Sequence, residues 1–186
     1  MSSKRLAVSG IIGALAFLLT FIEFPIFPFA AFLRFDPSIS LVVVMVQAFG
    51  WIPALFSLLI KDLLFTLIHQ GAGGPIGMLM NTAAGLVFVS ILSLLKTKTA
   101  KYIGYSLSSL AASLVMLTMN LLFLPLYTGM SFADAGSALG VGTSGLILTI
   151  IGFNLIKFLA NSFIGEIVYS RIKKIFNNKD LKGGSK

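Results

Sequence analysis

Cysteine is absent from the 186 residues. That excludes a disulfide framework, a thiolate metal site and a cysteine nucleophile. Charge is scarce too: 11% of the residues are Asp, Glu, Lys or Arg, where a soluble domain carries about 25%. Acid is scarcer still, with only six Asp and Glu. The sequence has no G-x-x-x-x-G-K-[S/T], so the chain has no phosphate-cradling loop of its own for ATP. The glycines at 71–77 lack the Lys-Ser/Thr pair and a preceding strand, and read as a turn. There is no His-x-x-x-His, no paired carboxylate set and no Ser/His/Asp set. Glu23, Asp36 and Asp134 are too scattered for a metal site. These absences argue against an enzyme, and nothing in the sequence calls for a cofactor.

What is abundant is apolar surface. Hydrophobic residues make up 57% of the chain, and mean hydropathy is +0.99. Water cannot solvate such a chain; a bilayer can. A helix needs about 20 residues to cross the hydrocarbon, and the apolar runs give six spans, at about 6–24, 38–50, 53–69, 76–95, 102–127 and 145–170. The fold class expected is therefore an all-α integral membrane protein, a bundle of six transmembrane helices. It forms one domain over 1–176, followed by a basic tail at 177–186. A Pro-containing loop joins the first two spans, and span two is the shortest. Gly50-Trp51-Ile52-Pro53 is a turn, since Pro suits a helix start and Gly a helix end. A polar, Gly-rich loop covers about 128–144. The first apolar run is too long for a signal peptide and ends in Glu-Phe-Pro, so a retained helix is expected. No internal repeat is apparent.

The net charge of +8 does not point to nucleic acid. Eleven of the fourteen basic residues fall in three clusters. These are Lys4 and Arg5; Lys96, Lys98 and Lys101; and Arg171, Lys173, Lys174, Lys179, Lys182 and Lys186. Six spans put all three clusters on one side and leave Arg34 as the basic residue of the other. The positive-inside rule then places both termini in the cytoplasm of a multi-pass protein of the cell membrane.

Ionisable and amide groups at bilayer depth are costly, and so point to function. Span three carries Lys61 and Asp62. Lys61, Phe65 and His69 share one helix face by their spacing of four, whereas Lys61 and Asp62 point about 100° apart and do not face each other directly. In span six, Asn154, Lys157 and Asn161 lie on one stripe. Asn donates and accepts, and Lys donates three ways, so the stripe suits the polar edge of a small molecule. Interhelical hydrogen bonding is the alternative use of these groups. Asn81 in span four and Asn120 in span five add two amides. A shared polar pocket in an apolar bundle has the general form of a small-molecule site. Glu166, near the cytoplasmic end, reads as structural. In span one, Ser9-x-x-x-Gly13 and Gly10-x-x-x-Ala14 allow close approach of an internal helix or another subunit.

With these features the chain resembles the S components of energy-coupling factor (ECF) transporters, and within them the riboflavin-specific RibU family. The resemblance is carried by Phe24-Pro25-Ile26-Phe27-Pro28 through Leu33-Arg34-Phe35-Asp36 and by Ile60-Lys61-Asp62-Leu63-Leu64. Gly74-Pro75-Ile76-Gly77 to Asn81, Asn120 with Leu124-Pro125-Leu126-Tyr127, and Phe153-Asn154-Leu155-Ile156-Lys157 complete it. Leu79 and Met80 stand where family members often carry an acidic residue. The resemblance implies capture of riboflavin from outside the cell and docking on a transmembrane T component. Two cytoplasmic ATPases would drive import, so that ATP is used by the partners only. It implies that Asn120, Asn154 and Lys157 bind the ring edge, with Lys61, Asn81, Asp36 and Phe35 also at the substrate. Ser9, Gly10, Gly13 and Ala14 would face the T component. Two other readings fit the residues: an S component for another vitamin such as thiamine, and a stand-alone ion-coupled carrier using Lys61, Asp62 and Lys157.

Overall fold

In the computed structural model of the protein, residues 2–69, 74–95 and 100–176 are described. The expected tail at 177–186, with Lys96, Lys98 and the glycine turn at 71–73, lies outside the described residues, as does the side chain of His69. In chain order the elements are α1 (Ser3–Leu19), β1 (Phe24–Pro25), a 3-10 turn (Pro28–Ala30), β2 (Arg34–Phe35), α2 (Ser38–Phe49) and α3 (Trp51–Leu64). A π-helical turn (Phe65–His69), α4 (Gly74–Leu94), α5 (Lys101–Thr128), α6 (Phe132–Ala138) and α7 (Gly142–Phe176) follow. Helix α3 together with its π-helical turn, and helices α4, α5 and α7, are long and apolar enough to cross a bilayer. Helix α2, with 12 residues, reaches only about 18 Å, against a hydrocarbon core of about 30 Å.

Span one ends five residues earlier than expected. The hydroxyl of Thr20 donates to the Phe17 carbonyl at 2.6 Å, and the amides of Thr20, Phe21 and Ile22 each bond three residues back. This tightens the last turn, and Pro25 disfavours helix at the residue before it. The chain then enters a two-stranded antiparallel ribbon that pairs Phe24 with Phe35 and Pro25 with Arg34. The expected polar loop after α5 contains an unforeseen helix, α6. Ser131 caps it, accepting from the Asp134 amide at 3.1 Å and donating to the Asp134 carboxylate at 2.6 Å, a reciprocal cap. Gly50, at φ 88°, makes the α2–α3 turn.

Packing pairs α4 with α5, α1 with α3, and α2 and α5 with α7. One apolar core joins α2, α3, α4, α5 and α7 around Val42, Val46, Leu58, Phe88 and Phe158. A second lies beneath the first loop and α6, around Leu33, Leu124, Leu146 and Phe153. At the end where α1 begins, Arg5 sits 5.9 Å over the Phe49 ring. Nearby, Glu166 binds Lys101 and accepts from the Tyr105 hydroxyl at 2.7 Å, and Tyr105 in turn accepts from Gln47. The basic residues of α1, α5 and the end of α7 thus share one end of the bundle.

The small residues of α1 split into two roles. A Cβ on Gly13 would lie 2.9 Å from the Ser57 carbonyl and from Ile60, and Ser57 donates to the Ser9 carbonyl at 3.0 Å. Ser9 and Gly13 are therefore used inside the chain, against α3, and the expectation that they face another subunit is corrected. Gly10 and Ala14 are half-buried, and Gly10 has open space where a Cβ would stand.

Helix α7 approaches α2 closely, and a Cβ on Gly165 would meet the Ser40 carbonyl at 2.6 Å and Val43 at 2.7 Å. Gly165→Ala is expected to cost about 1–3 kcal/mol by overpacking. The thermal unfolding midpoint of the detergent-purified protein should fall, while Gly10→Ala, which has open space for its methyl within α1, should leave it level or raise it.

Candidate functional site

The two apolar cores meet around a cavity of about 130 Å³. It is walled by the first loop (Glu23, Phe32, Leu33, Arg34, Asp36), the start of α2 (Ser38, Ile39), α3 with its π turn (Lys61, Asp62, Phe65) and α4 (Gly74, Gly77, Met78, Met80, Asn81). Helices α5 (Met116, Asn120) and α7 (Phe153, Asn154, Lys157, Phe158) complete it. Six residues singled out from the sequence come together here: Asn120, Asn154, Lys157, Lys61, Asn81 and Asp36. Phe35 does not. It is buried against Phe24, ring centroids 5.4 Å apart, in the core under the loop. Strand alternation turns it away from the cavity that its neighbours Arg34 and Asp36 line.

Asn120 and Asn154 are 2% and 1% exposed. Each amide nitrogen donates to the carbonyl one turn back, Met116 at 2.8 Å and Ile150 at 2.9 Å. A backbone carbonyl only accepts, so the NH₂ must occupy that side. The two Oδ1 atoms accept nothing from the described residues and are free for a donor in the cavity.

Lys157, one turn from Asn154, forms an ion pair with Asp36 at 2.9 Å. The other oxygen of Asp36 accepts from both the amide and the hydroxyl of Ser38, so the carboxylate is fully engaged by the protein. The backbone here is clamped by Asn161, which donates to the Asp36 carbonyl at 3.0 Å and accepts from the Ser40 amide at 2.8 Å. Asn161 shares the stripe of Asn154 and Lys157 but is spent on holding the loop to α7.

Lys61 and Asp62 are adjacent in sequence, and the flexible lysine stem swings its ammonium onto the Asp62 carboxylate. The expectation that they do not face each other directly fails for the charged ends. Thr82 donates to the second Asp62 oxygen at 2.8 Å, tying α4 to α3. Across the ribbon, Arg34 pairs with Glu23 at 2.5 Å. Glu23 and Phe32 at the cavity were missed in the sequence. The opposite charges of Glu23 and Arg34 flanking a Pro-containing loop were the available signal for the first, and nothing distinguished Phe32 from the other loop phenylalanines.

Burial works to raise the pKa of Asp36; the ammonium of Lys157, then that of Lys61 and the Ser38 hydrogen bond, outweigh it and hold the carboxyl at about 2, below its ordinary 3.8. A lowered pKa stabilises the fold fully above the ordinary value, and that stability is lost as pH falls through the folded value. The shift is worth about 2 kcal/mol. Between about pH 4 and pH 2 the unfolding midpoint should drop, and Asp36→Asn should flatten that part of the profile.

The geometry has counterparts among known proteins. The family model of the ECF transporter substrate-specific component matches residues 4–182. The riboflavin transporter RibU of Streptococcus thermophilus is 32% identical over 94% of this chain and 85% of its own length. The riboflavin transporter FmnP of Bacillus subtilis is 27% identical over 93% and 94%. A solved S component of a bacterial ECF transporter superposes with a TM-score of 0.77 at 27% identity, covering 96% of this chain and all of the other. ThiT of Listeria monocytogenes shares the fold, with a TM-score of 0.63 at 18% identity over 92% and 96% of the two chains. A multi-pass helical bundle, a loop clamped over a polar cavity and a match over nearly its whole length make this chain a member of the substrate-specific component family of ECF transporters.

Proposed function

We propose that the chain captures riboflavin from outside the cell and delivers it in complex with a T component and two cytoplasmic ATPases, which supply the energy of ATP. The observation that carries this reading is the convergence of Asn120, Asn154 and Lys157, from two helices, on one cavity. The isoalloxazine ring is flat, and its polar edge alternates carbonyl oxygens with a ring N–H. The free Oδ1 atoms of Asn120 and Asn154 can share that one N–H in a three-centre bond, and the remaining donors of Lys157 suit the carbonyls. Phe32, Phe65, Phe153 and Phe158 offer faces for the ring plane. Lys61, Asn81 and the backbone at Gly74 and Gly77 lie on the α3–α4 side, where the ribityl hydroxyls need partners. Asp36 sets the position of Lys157 from behind. The names of the relatives support the flavin as ligand.

The shared basic end of the bundle supports a cytoplasmic placement of both termini in the cell membrane. Gly10 and Ala14 are the small residues of α1 left for contact with the T component.

Detergent-purified protein is expected to quench the fluorescence of added riboflavin and to carry a yellow absorption band when loaded. Asn120→Ala and Asn154→Ala should each weaken binding about 10- to 100-fold, since each removes one buried hydrogen bond worth about 1–3 kcal/mol. Exchanging Asn154 and Lys157 together should abolish it. An unquenched wild type, or a double variant that binds as the wild type does, overturns the assignment.

A further inference from the structure

Of the seven methionines in the chain, Met78, Met80 and Met116 line the cavity. Met80 and Met116 are buried. The Met78 sulfur lies 3.2 Å from the Thr82 hydroxyl, which is bonded to the Asp62 carboxylate on the cavity wall. Met116 belongs to the turn of α5 that holds Asn120, whose amide bonds to its carbonyl. Thioethers therefore stand on both the α4 and the α5 wall. Met45 is sealed in the apolar core and Met119 packs against that core. Met130 lies just past the end of α5 and is 42% exposed.

The side chains that a light-excited flavin oxidises in the presence of dioxygen are those of Cys, Met, Trp, Tyr and His. The chain has no Cys. Among the described residues, the cavity wall contains no Trp, Tyr or His. Trp51 begins α3, where it donates to Ser90, and Tyr102 and Tyr105 begin α5 beside Glu166. These rings lie at the basic end of the bundle, away from the loop that walls the cavity. Methionine is thus the oxidisable class of side chain that the described wall presents to a bound isoalloxazine. A thioether is soft and polarisable and makes favourable contacts with aromatic rings. The property that fits these residues to a flat ring also brings their sulfur close to it.

We propose that Met78, Met80 and Met116 are photo-oxidation sites, at which the bound flavin, under light and dioxygen, turns the thioethers of its own cavity into sulfoxides. The inference rests on the riboflavin reading and adds a modification site to it. Light supplies the energy and dioxygen is the oxidant. The sulfur gives up an electron pair and gains one oxygen atom. Dioxygen accepts the pair and, with both protons of a water molecule, leaves as hydrogen peroxide. The net change is thioether, dioxygen and water giving sulfoxide and hydrogen peroxide, with the flavin returned to its ground state. The product is a polar, chiral side chain where an apolar one stood. Burying that polar group without a donor is costly. Capture should therefore fail as sulfoxide accumulates, until a methionine sulfoxide reductase restores the thioether.

The test uses the full-length protein in detergent, loaded with riboflavin, freed of unbound flavin and lit with blue light in air. Peptide mass spectrometry reads the gain of one oxygen at each methionine. An oxidant in bulk solvent follows exposure and reaches Met130 first. A sensitiser held in the cavity reverses that order: the three cavity methionines together should oxidise roughly fivefold or more faster than Met130, through proximity. Lighting flavin-free protein, or removing dioxygen, should leave them as thioethers. Capacity is then measured again with fresh riboflavin. A variant with Met78→Leu, Met80→Leu and Met116→Leu keeps side-chain volume; it should retain a share of its own dark capacity roughly threefold or more above the share that wild type retains. Met130 oxidised as fast as the cavity methionines overturns the inference, and that readout needs no variant. Oxidation that persists without flavin or without dioxygen also overturns it, as does a folded variant that loses the same share of capacity as wild type. A wild type that takes up no riboflavin in the dark overturns the functional reading instead, before any light is applied.

Discussion

An ammonium group cannot sit alone in hydrocarbon, and the placement of Lys157 in the middle of α7 makes the arrangement of the cavity end of this bundle necessary. Its partner, Asp36, is not on a helix. The carboxylate comes from the loop between α1 and α2, so neutralising the lysine draws that loop inward over the bundle. Asn161, one turn further along α7, fixes the end of the same loop and the first turn of α2 with the two ends of its amide. Two consecutive turns of one helix thus hold a segment that would otherwise lie in the interface. The loop contributes a wall of the cavity and, through Leu33 and Phe35, part of the second apolar core.

The shortness of α2 belongs to the same arrangement. A full-length span would fill the space that the loop and its ribbon occupy. With twelve residues, α2 ends its apolar packing below the loop, and Gly165 lets α7 approach it closely enough to seal the bundle beneath. The cavity therefore lies above a continuous apolar floor that includes Phe88 packed on Phe158, ring centroids 4.9 Å apart.

The helical framework was legible because each long span is an apolar run bounded by Gly, Pro or basic residues. The stripe of Asn154, Lys157 and Asn161 was legible because helix periodicity alone puts three such residues on one face. What each does on that face was not, since the division between cavity-lining Asn154 and loop-holding Asn161 depends on where a distant segment folds back. Lys61 and Asp62 were misjudged for a different reason: periodicity fixes Cβ directions, whereas a lysine stem spans four methylenes and carries its charge well off that direction. Phe35 followed strand alternation rather than sequence proximity to Asp36. Helix α6 was hidden by its composition, although Ser131 and Asp134 carry the spacing of a reciprocal cap.

In the proposed site, the back-bonding of Asn120 and Asn154 bears on the economy of capture. Each amide is locked by its own helix before any solute arrives, so neither must surrender rotational freedom at the moment of contact. Ordering a mobile side chain at an interface costs about 0.5–1.5 kcal/mol, and these two arrive with that cost already met during folding. Recognition is then a matter of the solute finding its orientation, not of the protein finding its own.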